Sequence, residues 1–298
     1  MAQKQNILWG IGLVAGFACM AAIACIITMK AQQRFSGNVP LHDLGSRNEV
    51  AAERLLYGNK DQWLILAGSS AASFMPPPTM MPVDAYTLAM QGSGGMSGLE
   101  IILCSGARPK VVLLEADLLF RDIDKSFVAD MCDPVAMALR RQIPALRYGY
   151  NLVNLTKIRF TPLPPPDMER PKMTMEEWER KRRPMVERMV GRMQANMVKE
   201  LPEMRRERQQ HTLARLKQDI ELLKERGTEV VFYATPLSPD VATLPRYVEW
   251  RELLRQHFPE QRILAPEGQY YLSDGIHMVP YSALRYYHDL REQVAGMR

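Results

Sequence analysis

Two short stretches at opposite ends of the chain carry the residue types of acyl-transfer chemistry. An apolar run at 63–67 leads directly into Gly68-Ser69-Ser70. If that run is a strand, a hydroxyl stands at its carboxyl end, where open α/β folds gather their ligands. A helix starting just after the turn adds amide groups and the positive end of its dipole, both of which stabilise negative charge beside the serine. Near the other end lies Ser273-Asp274-Gly275-Ile276-His277. An aspartate and a histidine three residues apart can fold back on each other. A carboxylate bonded to one imidazole nitrogen fixes the tautomer and leaves the other nitrogen to take a proton from a serine. Each stretch also has a plainer reading: serines at strand-to-helix junctions are commonly helix caps, and an aspartate in a tight turn commonly caps it beside a surface histidine.

The elements that must position these residues follow from the apolar pattern. Short runs bounded by turn residues at 63–67, 85–89, 111–116 and 229–234 predict strands, and stretches at 98–104, 134–139, 211–226 and 281–294 predict helices. Buried strands alternating with helices predict an α/β fold, a three-layer sandwich around a mainly parallel sheet. Residues 162–210 interrupt the alternation. They open with Pro164-Pro165-Pro166 and continue with interleaved charge, which predicts a helical insertion with exposed faces. Within it Met185, Met189, Met193 and Met197 recur every fourth position, beside Val186 and Val190. The stripe is expected to pack on the body, the alternative being an adaptable surface for a partner. The Lys181-Arg182-Arg183 and Arg205-Arg206 groups read as solvated helix faces, and no interleaved aromatic residues point to nucleic acid.

Composition sets the outer bounds. Thirty-eight Lys and Arg against 33 Asp and Glu leave a net charge of +5 in 298 residues, a balance too mild to imply nucleic acid. A mean hydropathy of -0.22 excludes a polytopic transporter. One local exception is residues 7–29, which contain no charge and, as a helix of 1.5 Å rise per residue, reach about 34 Å, enough to cross a bilayer core. The apolar run is longer than that of a cleaved signal peptide and continues past Ala22-Ile23-Ala24-Cys25, so an uncleaved anchor is expected rather than a lipoprotein. The domain plan is an anchor over 1–30, a tether with a short helix at 49–56 over 31–60, and the α/β body over 61–298. Lys4 and the amino terminus on one side of the anchor nearly balance Lys30 and Arg34 on the other, so charge leaves the orientation open. Cys104 and Cys132 read as two buried thiols, with a disulfide open to them if the body is extracytoplasmic. With five histidines and no paired His or Cys at metal-ligand spacing, neither a metal nor a cofactor is expected.

Taken together, Gly68-Ser69-Ser70 after the first strand, the Met90-Gln91-Gly92-Ser93-Gly94-Gly95 loop after the second and the terminal Asp274-x-x-His277 resemble the SGNH (GDSL-type) hydrolase superfamily over most of 61–298. The resemblance implies Ser70 as nucleophile, His277 as base, Asp274 as the acid that orients it, and the amides of Ser70 and Gly92 as oxyanion donors, with Gly94 and Gly95 as alternatives to Gly92. It departs at the third block, where Glu115-Ala116-Asp117 stands at the family's Gly-x-Asn. An ionised Asp117 cannot donate to an oxyanion, and Asn151 or Asn154 are the substitutes at hand. An anchor preceding such a domain, with Gly-Ser-Ser, the 85–88 strand and the Thr235-Pro236-Leu237-Ser238-Pro239 segment, is similar to the anchored accessory proteins of alginate O-acetylation and teichoic-acid D-alanylation. That branch implies a single-pass protein whose soluble domain lies on the extracytoplasmic, periplasmic side of the cell membrane. It also implies an acylated donor, a cell-surface glycan as acceptor, and a multi-spanning membrane acyltransferase as partner. The alternative is a non-catalytic scaffold or glycan-binding subunit built on the same fold.

Overall fold

The computed structural model describes residues 44–58, 62–69, 85–148, 169–198 and 202–296, with four isolated positions nearer the amino terminus. The anchor expected at 7–29, and Ser70, Asn151 and Asn154, lie outside the continuous described stretches. Among the described residues no helix is long and apolar enough to cross a membrane.

Five parallel strands form one sheet: β1 (Leu64–Gly68), β2 (Ala85–Ala89), β3 (Val111–Glu115), β4 (Glu229–Tyr233) and β5 (Ile263–Leu264), in the order β2-β1-β3-β4-β5. The residues of β1 and β3 are all buried, as expected where both faces of a parallel sheet are covered. Their side chains alternate between two cores. Ile65, Ala67, Val112, Leu114, Val230 and Phe232 face one side, and Leu64, Leu66, Val111, Leu113, Val231 and Tyr233 face the other.

The first core is closed by helices α1 (Leu44–Tyr57), α2 (Gly95–Ser105), α6 (Pro202–Glu225) and α8 (Pro245–His257), with α3 (Lys125–Cys132), α4 (Pro134–Gln142) and α5 (Met175–Val198) around them. A one-turn helix, α7 (Pro239–Ala242), precedes α8. The second core is closed by the C-terminal helix α9 (Pro280–Ala295), through Ala283, Tyr286, Tyr287, Leu290 and Val294.

Three details differ from the sequence reading. The helix within the expected tether is a full member of the body: Ala52, Leu55 and Leu56 of α1 are buried in the first core. Cys104 and Cys132 are joined in a disulfide rather than standing as two thiols, because the last turn of α2 and the last residue of α3 bring their Cα atoms to 5.9 Å. Of the helical insertion expected at 162–210, α5 spans Met175–Val198, while 202–210 open the longer α6, which leads into β4. As expected, Met189, Val190 and Met193 of the stripe pack against the first core.

Candidate active site

In a sheet ordered 2-1-3-4-5, chain connections leave β1 and β3 in opposite directions, and the crevice at their carboxyl ends is the usual ligand site. The serine block follows β1, the glycine loop follows β2 and the third block follows β3, all at carboxyl ends of strands, while the Asp274–His277 loop is tied to the loop after β4. Ser69, the first residue after β1, is fully buried, and its amide donates to Oε2 of Glu115 at the end of neighbouring β3, 2.5 Å away. A completely buried Ser69 cannot present its hydroxyl to a substrate, which leaves Ser70, the next residue, as the candidate.

The glycine loop after β2 is held against the same edge. Met90 donates its amide to Gly68 at 2.8 Å, extending the β1–β2 pairing, and Ser93 donates to Met90 at 3.2 Å, closing a turn. Gly92 occupies the third position of that turn with φ of +81°, where a side chain is disfavoured. It is exposed. The side chain of Asn48 on α1 grips Gln91 at both backbone groups, accepting from its amide at 2.7 Å and donating to its carbonyl at 2.9 Å. Gly94 and Gly95 are buried, and a Cβ on either would meet Leu118 O or Leu114 Cδ1 at 3.0 Å. Their lack of a side chain therefore serves packing, and Gly92 is the exposed member of the loop.

Asp274 and His277 come together as the spacing predicts. Nδ1 of His277 lies 2.7 Å from Asp274 Oδ2, and Asp274 Oδ1 accepts from the amides of His277 and Ile276 at 2.9 and 3.2 Å. Burial works to raise the Asp274 carboxyl, but the bonds from the His277 ring and amide outweigh it and hold the group below the usual carboxylate range. An ionised Asp274 only accepts, so Nδ1 of His277 carries the proton in this contact. Gly275, with φ of +93°, turns the chain between them, and its carbonyl accepts from Ser238 of the loop after β4 at 2.9 Å. Ser273 closes the loop from the other side, donating to the His277 carbonyl at 2.7 Å through its amide and 3.0 Å through its hydroxyl.

The third block is turned to another use. Asp117 is 1% exposed; Thr235 donates its amide to Oδ2 at 2.9 Å, and Arg251 of α8 donates Nε to Oδ1 at 2.8 Å. Both oxygens are thus spent joining the ends of β3 and β4 to α8, and Asp117 contributes no donor to an oxyanion. Glu115 is the more unusual group. Burial pushes its carboxyl up to about 7, opposed by the hydrogen bonding of Ser69, and among the described residues its Oε1 has no hydrogen-bond partner. Among the described residues no group of three or more His, Cys, Asp and Glu is placed to hold a metal ion.

This geometry defines an α/β protein with a five-stranded parallel sheet, a glycine turn after β2 and an Asp-His pair whose loop is tied to the chain after β4. No known family model matches the chain. No curated protein is similar to it in sequence.

Sequence reasoning missed the residues that support these groups: Asn48, Glu115 as the acceptor for Ser69, the Arg251 partner of Asp117, and Trp178 of α5, whose Nε1 donates to the carbonyl of Leu272 at 2.7 Å. Glu115 did leave a signal, because a carboxylate ending the otherwise apolar run Val-Val-Leu-Leu requires a buried partner.

Proposed function

We propose that this chain is a membrane-anchored serine O-acyltransferase or esterase of the SGNH type, acting on a cell-surface polysaccharide outside the cytoplasmic membrane. The observation that carries the reading is the 2.7 Å contact of His277 Nδ1 with an ionised Asp274 at the carboxyl edge of a parallel sheet, the edge on which the Ser69-Ser70 turn begins. His277 Nε2 takes the Ser70 proton as Oγ attacks the acyl carbonyl, and Asp274 stabilises the imidazolium. The negative oxygen rests on the Ser70 and Gly92 amides, the second presented by an exposed positive-φ turn. Collapse expels the donor alcohol, which leaves with the proton from His277. A glycan hydroxyl, or water in hydrolysis, then gives its proton to His277, attacks the acyl-serine and frees Ser70. The Cys104–Cys132 disulfide supports an oxidising, extracytoplasmic compartment, which in turn suits a multi-spanning acyltransferase as the donor-side partner.

The test is fluorophosphonate labelling of the full chain with intact-mass readout. The reading expects one adduct, lost in Ser70→Ala and His277→Ala and kept in Ser69→Ala; an unlabelled wild type argues against an activated serine. A second reading, a non-catalytic SGNH-like scaffold or glycan-binding subunit, is favoured by one observation, the engagement of Asp117 with Thr235 and Arg251 where the family places a donor. That reading expects glycan acylation in cells to be unchanged by Ser70→Ala.

A further inference from the structure

The turn after β2 has two forms open to it, and its own residues do not choose between them. Met90 to Ser93 form a four-residue turn closed by the Ser93 amide on the Met90 carbonyl at 3.2 Å, with Gly92 in third place at a φ of +81°. Among the described residues only glycines have a positive φ, so Gln91 does not, which excludes type I′ and leaves type II. A type I turn differs by a half-turn of the single peptide unit between Gln91 and Gly92, which takes φ of the third residue from about +80° to about −90°. Glycine adopts either sign of φ with similar ease, and a Cβ at Gly92 would meet nothing within 4 Å, so crowding does not decide the matter.

Asn48 decides it. Its Oδ1 accepts from the Gln91 amide at 2.7 Å and its Nδ2 donates to the Gln91 carbonyl at 2.9 Å. One carboxamide holds both groups of a single residue only where they point to the same side, as in the extended conformation that a type II turn gives its second residue. In a type I turn Gln91 is helical, its N–H and C=O point in opposite directions, and one of the two bonds is lost. The Gln91 carbonyl and the Gly92 N–H belong to the same planar trans peptide and also point opposite ways. The bond from Nδ2 to that carbonyl therefore turns the Gly92 N–H away from Asn48. Gly92 is exposed, and among the described residues its amide has no acceptor. The helix that holds Asn48 is firmly placed: Ala51 of α1 accepts from the Tyr86 hydroxyl of β2 at 2.6 Å, and Ala52, Leu55 and Leu56 are buried in the first core.

We propose that Asn48 is a positioning residue that holds the Met90–Ser93 turn in its type II form and so aims the Gly92 N–H as an oxyanion donor. The form of the turn rests on these hydrogen bonds alone; the catalytic consequence rests on the acyl-transfer reading. In that reading Asp117 donates nothing, both its oxygens being engaged by Thr235 and Arg251. The orientation of one backbone amide then matters more than where a side-chain donor shares the charge.

Asn48→Asp is the informative variant. It keeps an acceptor for the Gln91 amide but replaces the donor with a second oxygen, which repels the Gln91 carbonyl and attracts the Gly92 N–H, so the peptide is expected to turn over. Asn48→Ala removes both bonds and leaves the two forms to equilibrate. NMR of the full chain in mild detergent, with glutamine and glycine labelled, reads the turn directly. A strong NOE to the Gly92 amide from Gln91 Hα marks type II, and one from the Gln91 amide marks type I. The wild type is expected to show the first and Asn48→Asp the second. The rate of fluorophosphonate labelling at Ser70 reads the donor. It is expected to fall about 100-fold in Asn48→Asp, the scale of one lost oxyanion donor, and about tenfold in Asn48→Ala. A merely structural Asn48 would lower the urea midpoint and leave the NOE pattern and the labelling rate of the folded protein unchanged, and that result overturns the proposal. So does a turn that changes form in Asn48→Asp without slowing the labelling, because the Gly92 amide is then not the donor. A wild type that is not labelled at all overturns the acyl-transfer reading and the catalytic role with it, while the NOE pattern still decides whether Asn48 sets the turn.

Discussion

The buried carboxyl of Glu115 gives a quantitative test of how the serine-bearing turn is built. Its ordinary value is 4.5, and burial pushes it up to about 7 against the opposing hydrogen bond from Ser69. A carboxyl that holds its proton more tightly in the folded state makes stability fall as pH rises between the two values, because there the native protein binds the proton and the unfolded chain does not. The full loss is about 3 kcal/mol, and about 2.5 kcal/mol of it falls between pH 5 and pH 8. Glu115→Gln keeps the shape and the acceptor for the Ser69 amide but cannot ionise. Its amide group leaves a buried donor unpaired, at a cost that does not vary with pH. The variant is therefore expected to gain about 2.5 kcal/mol relative to the wild type on going from pH 5 to pH 8, whatever its offset at either pH. Asp219 of α6, also pushed up to about 7 by burial and by Glu100, titrates with the same sign. It is present in both proteins and cancels in the difference. Asp274, whose value is depressed, supports stability at neutral pH and loses that contribution only in acid, below this window. The assay is urea unfolding of the full chain in detergent at the two pH values, followed by the fluorescence of the buried Trp250 and Trp178. A wild-type-to-variant gap that changes by less than about 0.5 kcal/mol would show that Glu115 does not titrate in this range and refute its description as a desolvated carboxyl beneath the turn.

Asp117→Asn leaves Arg251 and the Thr235 amide competing for one acceptor, so the melting midpoint should fall with a loss of about 3 kcal/mol; an unchanged midpoint would mean that the pair contributes nothing to holding β3, β4 and α8 together. Cys104→Ser opens a loop of 28 residues and is expected to cost roughly 3.5 kcal/mol by chain entropy, seen as a lower urea midpoint that a reductant produces in the wild type but not in the variant. Gly275→Ala places a methyl 2.7 Å from Ser238 Oγ at a φ of +93°, and a loss of about 1–3 kcal/mol with displaced His277 ring resonances is expected in thermal and NMR measurements. Retention of the wild-type midpoint and spectrum by that variant would show that the loop does not need its left-handed turn.

The sequence by itself determined four of the five strands. Residues 64–68, 85–89, 111–115 and 229–233 are mainly apolar runs too short for helices, and a strand buried on both faces, as β1 and β3 are, leaves no other pattern. The local pair Asp274 and His277 was equally legible, since three residues with a glycine between them suffice to close the bond. The two-residue strand β5 and the helices α3 and α8 were not, because their patterns are short or dominated by charge and they are fixed by what they pack against. Only the tertiary structure decided the long-range partners. Glu115 meets the Ser69 amide across 46 positions, Arg251 meets Asp117 across 134, and Cys104 meets Cys132 across 28. None of these pairings is written in local spacing, because strand order, not chain order, decides which ends of the sheet are neighbours. The docking of α5 belongs to the same class: Trp178 is one aromatic residue on a charged helix until its Nε1 meets the carbonyl of Leu272 across 94 positions.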